Sequence, residues 1–231
     1  MKNSLVLYVR EHKMVLIAVG VLILVAMIFL VFKNNSNINP PGLEDGYKGS
    51  MTLEDSEHYL GRANSPIKII EYSEGECVFC KRINPILKRI ISENTEDTAL
   101  VFRHFPLTIH PKAFIEAMAL ECAAEIGGES FFWSYLDRLF EVTPSNNDIN
   151  LEALPEIANF LKIDKESFNE CLSSGRYKER VQRDIQSGLA IGVKKIPYLA
   201  LVAPNGQQFI LGTYPSYESI SATIEIARSK K

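Results

Sequence analysis

Cys77 and Cys80, separated by Val78 and Phe79, are the residues of this chain whose type and spacing best suit chemistry. They follow Ile67-Lys68-Ile69-Ile70-Glu71-Tyr72, a run of branched and aromatic residues that reads as a β-strand, and a turn over 73–76. Phe79, Ile83, Ile86, Leu87, Ile90 and Ile91 then recur at spacings of three and four, which predicts a helix opening at the pair. Strand, turn, C-x-x-C and helix is the setting of a redox-active dithiol. A bare C-x-x-C would suit half a zinc site equally well. The first turn of a helix offers unpaired N–H groups and the positive end of the macrodipole, both of which stabilise an anion. Such a site lowers a cysteine pKa from about 8.5 into roughly the 3.5–7.5 range. Cys77, at the exposed start of the helix, is therefore expected to be the nucleophile. Cys80, one turn further on and more sheltered, is expected to resolve the mixed disulfide.

The elements that must position this pair are legible on either side of it. Ala99–Arg103 reads as a second strand. Tyr198–Val202 and Gln208–Leu211 form a strand pair joined by the turn Pro204-Asn205-Gly206, and Tyr217–Arg228 closes the chain as a helix. Between them, from about 111 to 191, the pattern is helical throughout: Ala113–Ile126, Phe131–Phe140, Leu151–Leu161, Lys165–Leu172 and Tyr177–Ala190. The fold class is thus α/β, with a helical block inserted into a β–α–β and β–β–α scaffold.

The N-terminus has a different character. Lys2, Arg10 and Lys13 precede an uncharged run from Met14 to Phe32, whose length at 1.5 Å per residue is about 28 Å, enough to cross a bilayer core. Positive charge before the run predicts a single-pass transmembrane helix over 14–32, with 1–13 cytoplasmic and the remainder exported. No small-residue cleavage motif follows, since the next residues are Lys33-Asn34-Asn35-Ser36, so an uncleaved anchor is expected rather than a signal peptide. Residues 33–50, rich in Asn, Pro and Gly, read as a flexible linker, and 51–231 as one soluble domain. A net charge of −3 without a long basic tract argues against nucleic acid as a partner. Four cysteines in an exported chain are compatible with two disulfides.

Several stretches together resemble the DsbA-like branch of the thioredoxin superfamily. They are Leu60-Gly61-Arg62-Ala63-Asn64-Ser65-Pro66, the segment from Glu71 to Lys81, Phe102-Arg103-His104-Phe105-Pro106-Leu107, and Gly192-Val193-Lys194-Lys195-Ile196-Pro197-Tyr198. The match covers roughly 58–228. It implies a thioredoxin fold with an inserted helical domain, and a protein thiol–disulfide oxidoreductase that needs no small-molecule cofactor or metal. Exported proteins would be its substrates, and a membrane redox protein would recycle its dithiol. The resemblance also implies that the Ile196–Pro197 bond is cis and faces the dithiol, with Ile196 offering main-chain groups to an extended substrate. It implies that Glu71, sharing strand parity with Ile67 and Ile69, sits beneath the disulfide and relays the proton of Cys80.

Cys122 and Cys171, on different predicted helices, are read first as a structural disulfide, because relatives carry cysteines at similar places; two buried free thiols are the alternative. His104 and His110 are expected to be ordinary strand-end and loop residues, and Lys81 and Arg82 a solvated helix face. Val78 stands where many relatives have Pro, and Ile196 where Thr or Val is common. Both positions touch the sulfurs, so the resemblance does not carry over the direction of exchange. A reductase or isomerase of the same fold is one alternative. A soft-metal protein holding Cu(I) on the cysteine pair is another, which the lack of a Met- or His-rich tract disfavours.

Overall fold

The computed structural model describes residues 51–53 and 56–230, together with Val19, Ile23 and Met27, which are helical and exposed. The expected cytoplasmic segment, most of the expected transmembrane run and the linker lie outside the described residues. Among the described residues, no helix is long and apolar enough to cross a membrane.

The elements run β1 (His58–Leu60), β2 (Ile67–Ser73), α1 (Val78–Glu93), β3 (Thr98–His104), α2 (Ala113–Gly127), α3 (Glu129–Val142), α4 (Ala153–Phe160), α5 (Lys165–Ser174), α6 (Lys178–Ala190), β4 (Tyr198–Val202), β5 (Gln208–Gly212) and α7 (Tyr217–Arg228). The sheet order is β1-β3-β2-β4-β5. β2 and β3 are parallel, and the other neighbours antiparallel. The run over 67–73 is central because it is covered on both faces, with every residue of β2 buried. β1 escaped the sequence reading because three residues carry too little periodicity to be distinguished from a loop.

The α1 helix follows β2 through a four-residue turn. Its buried side is formed by Cys80, Ile83, Leu87, Ile90 and Ile91, and Pro85 lies on its exposed side. Against expectation, Phe79 is not part of that apolar side: it is 53% exposed. The parallel β2–α1–β3 unit brings the end of β2 and the start of α1 to one edge of the sheet. The end of the Ile196–Pro197 segment enters β4 at that same edge, since Tyr72 pairs with Tyr198.

Helices α2–α6 are the predicted insertion. α2 contacts α3, α4, α5 and α6, and nine of its residues are buried. A helix surrounded in this way has little solvated surface, which is why its sequence is alanine-rich rather than cleanly amphipathic. Cys122 on α2 and Cys171 on α5 are bonded, with Cα atoms 5.8 Å apart. Buried Arg103 ties the segment before β1 to the sheet: Nε donates to Glu57 Oε1 at 3.1 Å, Nη1 to the Tyr72 hydroxyl at 2.8 Å and Nη2 to the Thr52 carbonyl at 2.6 Å.

The Cys122–Cys171 crosslink closes a loop of 49 residues. In the chain-entropy account this restricts the unfolded chain by about 4 kcal/mol. Replacing both cysteines by alanine is expected to lower unfolding free energy by roughly 2–5 kcal/mol in urea titrations, while the Cys77–Cys80 pair still opens and closes with glutathione. An unchanged urea midpoint would show that the bond does not staple the insertion.

Candidate active site at the start of α1

Cys77 is the N-cap of α1. Its sulfur accepts the Cys80 N–H at 3.1 Å, and its carbonyl accepts the Lys81 N–H at 3.0 Å. The two cysteines are disulfide-bonded, with Cα atoms 5.1 Å apart. Cys77 is 6% exposed and Cys80 0%. The expected order of accessibility holds, but Cys77 is far more enclosed than a helix start would suggest. What encloses it is the loop before β4. The Ile196–Pro197 bond is cis, and the Ile196 carbonyl oxygen lies 3.8 Å from Cys77 Sγ. Ile196 and Pro197 are themselves buried. No acidic residue occupies the first turn of α1. Negative charge developing on Cys77 therefore meets an N–H group and the positive helix end without a carboxylate inside the turn to oppose it.

The turn before Cys77 holds two carboxylates whose depth the sequence did not reveal. Glu76 is fully buried. Its side chain accepts the backbone N–H groups of Asn147 at 2.7 Å, Asp148 at 3.2 Å and Ile149 at 3.1 Å. It thereby fixes a loop in which Ser145, Asn146 and Asn147 all have positive φ. Glu74 accepts the Leu107 N–H at 2.6 Å and pairs with His110. Lys81 is not merely solvated: its Nζ donates to the Thr143 carbonyl at 3.1 Å and holds the same loop. His110 is likewise a partner of the active-site turn rather than an ordinary loop residue.

Below this turn lies Glu116 of α2, buried, with Glu76 as the side-chain partner for its proton. Burial, together with Glu76 and Glu74 nearby, pushes its pKa up to about 9, so it is a neutral acid at pH 7. A side chain at Gly75 would displace the buried ends of Glu116 and Leu139, so glycine lets the turn pass close to both. The Glu74-Gly75-Glu76 triplet carried a signal, two acids around a glycine beside a cysteine, but the partners lie tens of residues away.

Glu71 is 2% exposed and sits on β2 between Phe102 of β3 and Leu199 of β4. Burial raises its pKa to about 7, with the Ser73 hydroxyl acting in the opposite sense. A carboxyl group poised near neutrality in the central strand leading to the dithiol can both hold and release a proton under working conditions. His104, by contrast, is not at the dithiol; its Nε2 lies 2.9 Å from Glu121 Oε1 within the helical side of the sheet. Trp133 and Phe132 are core residues, while Phe79 pairs edge-to-face with Tyr214, itself 48% exposed, at a centroid distance of 5.8 Å.

The fold and this site define a dithiol protein built on the thioredoxin plan. The thioredoxin family model matches residues 53–225, and the chain belongs to that family. Among solved structures, Pseudomonas aeruginosa DsbA2 is similar at 27% identity and a TM-score of 0.67, over 78% of this chain and 99% of that one. Bacillus subtilis BdbD, in its oxidised form, gives 21% and 0.67 over 78% and 97%. Wolbachia pipientis α-DsbA1 gives 19% and 0.65 over 77% and 93%. Curated relatives include Na(+)/H(+) antiporter NhaA 1 of Mycolicibacterium vanbaalenii, 30% identical over 73% of this chain but only 27% of its own length. NhaA 3 of Salinispora tropica is 30% identical over 62% of this chain and 21% of its own. The chain thus spans about a quarter of the length of these antiporters.

Because protonated Glu116 is favoured in the folded chain, its contribution to stability is complete below the ordinary glutamate range near 4.5 and is lost as pH rises through about 9. Urea midpoints of the wild-type chain are expected to fall across that window, and those of Glu116→Gln to fall less. Parallel curves for the two proteins would show that Glu116 is not held protonated.

Proposed function

We propose that this protein is a membrane-anchored thiol–disulfide oxidoreductase that forms or exchanges disulfides in exported proteins. The observation that carries the reading is the bonded Cys77–Cys80 pair at a helix N-terminus, with the Ile196 carbonyl facing Cys77 Sγ at 3.8 Å. The similarity to structures titled DsbA and BdbD supports it.

In the oxidising direction a substrate thiolate attacks Cys77 Sγ. The Cys77–Cys80 bond breaks, its electron pair goes to Cys80, and a mixed disulfide forms. A second substrate thiolate then attacks the substrate sulfur and releases Cys77 as a thiolate, stabilised by the Cys80 N–H and the helix end. Ile196 presents main-chain groups to the extended substrate beside Cys77. Glu71 takes up or returns the Cys80 proton, for which a pKa near 7 suits it. A membrane redox partner reoxidises the dithiol. The uncharged run 14–32 behind three basic residues supports export of the domain across the cytoplasmic membrane.

Oxidised chain mixed with a reduced two-cysteine protein is expected to transfer its disulfide. Cys77→Ser is expected to abolish transfer, and Cys80→Ser, with its lone Cys77 activated by a dithiobis(nitrobenzoate) reagent, to form a mixed disulfide that persists with a single-cysteine version of the substrate, which has no second thiolate to resolve it. Absence of transfer by wild type in glutathione buffers of any ratio would sink the reading. Reduced protein alkylated at pH 6 should be labelled at Cys77 before Cys80, and labelling in the opposite order would exchange their roles.

The rate at which reduced Cys80 attacks a mixed disulfide at Cys77 is expected to rise with pH through about 7 as Glu71 ionises. Glu71→Gln should flatten that rise and slow the step by about a hundredfold. An identical pH–rate profile for the variant would remove Glu71 from the mechanism. For the anchor, the protein should fractionate with membranes and resist alkaline carbonate extraction. Release of a soluble form beginning after residue 32 would show a cleaved signal instead.

A further inference from the structure

Away from the dithiol, four side chains from four elements converge beside the sheet: His58 of β1, His104 of β3, Glu121 of α2 and Glu129 of α3. Glu121 Oε1 is approached by His58 Nε2 at 3.1 Å and by His104 Nε2 at 2.9 Å. These three atoms all lie within 4.8 Å of one another, and all three residues are buried. His58 Nδ1 lies 2.6 Å from Glu129 Oε1, so Nδ1 carries a proton and donates it to that carboxylate. Against burial, the Glu121 and Glu129 carboxylates raise the His58 pKa to about 9, so that the protonated ring donates Nε2–H to Glu121 and the deprotonated ring turns the Nε2 lone pair toward it. Two acceptors at that separation need a positive centre between them, either a proton or a metal ion.

From this arrangement we propose a site for a divalent transition metal, Zn²⁺ in the first instance, with His58 Nε2, His104 Nε2 and a Glu121 carboxylate oxygen as protein ligands. Zinc takes imidazole nitrogen at about 2.0–2.1 Å and carboxylate oxygen at about 2.0–2.2 Å, which needs ligand atoms a little over 3 Å apart. Two of the three separations here are already of that size, at 3.1 and 2.9 Å. Glu129 supplies what metal-bound histidines commonly have, a carboxylate on the other ring nitrogen that fixes tautomer and orientation. Glu129 is in turn held by Trp133, whose Nε1–H donates to its Oε2 at 3.1 Å, and the His58 ring is stacked on Phe132 at 3.7 Å.

The surrounding charges fit a dication. Arg180 is the nearest fixed cation, with Nε 3.7 Å from Glu121 Oε1. Its charge is matched by Asp184, with which it pairs, and its Nε has no hydrogen-bond partner, so it does not compete for Glu121 through that atom. Glu121 and Glu129 together remain to balance two positive charges. The Glu129 side chain is 47% exposed and leaves a way in from solvent. An ion here would fasten β1 and β3 to α2 and α3. Its role is structural, and it stands apart from the chemistry at Cys77.

The test uses the full-length chain in mild detergent with both disulfides closed, so that no thiol can bind metal. Zn²⁺ is titrated in competition with a chromogenic chelator, and Co²⁺ absorption is recorded as a second probe. Wild type is expected to bind one equivalent of Zn²⁺, to gain thermal stability on binding, and to give visible Co²⁺ bands of a nitrogen–oxygen site. His104→Gln should lose all three effects. Glu129→Gln, altered at a half-exposed position and so able to fold even where His104→Gln does not, should bind roughly tenfold or more weakly. No competition by wild type, or equal binding by wild type and Glu129→Gln, would overturn the site and leave the cluster as a protonated ion-pair network.

Discussion

The sulfur of Cys77 has two neighbours that the rest of the structure exists to supply. One is the N–H of Cys80, 3.1 Å away in the first turn of α1; the other is the Ile196 carbonyl, 3.8 Å away across the groove. The first is local and follows from helix geometry, because an N-cap side chain accepts from the N–H two or three residues on. The second joins residues 119 apart in sequence, and it depends on β4 lying antiparallel to β2 with Tyr72 opposite Tyr198. The fully buried β2 strand fixes that register. A one-residue slip would turn Ile67, Ile69 and Glu71 to the opposite face and move the loop away from the sulfur.

Buried acids surround the active-site turn, and each is kept for a different physical reason. Glu76 is stabilised by three backbone N–H groups, and it sets the shape of the 143–149 loop. Glu74 has His110 and the Leu107 N–H. Glu116 is buried with two acids, Glu76 and Glu74, near it and no cation among the described residues paired with it, so the cheaper solution is to keep its proton, which Glu76 can accept in a hydrogen bond. Glu71 has a pKa raised by burial to about 7. The glutamates around the dithiol therefore differ in what holds them, and Glu71, poised near neutrality, is the one suited to a proton relay.

The helical insertion is held to the sheet by more than apolar contact. The Cys122–Cys171 bond joins α2 to α5, Asp184 of α6 accepts the His104 N–H at 2.9 Å, and the His58–Glu121–His104 cluster joins two strands to α2. Two of these three links involve α2, which contacts the other four helices of the insertion. Its alanines allow close approach, and its two buried glutamates, Glu116 and Glu121, face two separate polar clusters.

Periodicity and residue type by themselves determined the order of elements after β1, the place of the dithiol at a helix start and the boundaries of most helices to within two residues. Those features are local: alternation, three-to-four spacing and turn residues act within about ten positions. The resemblance of Ile196-Pro197-Tyr198 and of the Cys122 and Cys171 positions to a known family supplied the cis bond and the second disulfide. Only the tertiary structure decided which charged residues are buried. Glu76 meets its partners 71 to 73 positions later, and His104 finds Glu121 and not the cysteines. It also decided that Phe79, in phase with the buried side of α1, is instead exposed against Tyr214. A side chain's burial depends on what the rest of the chain brings to it, and that is not written in its own neighbourhood.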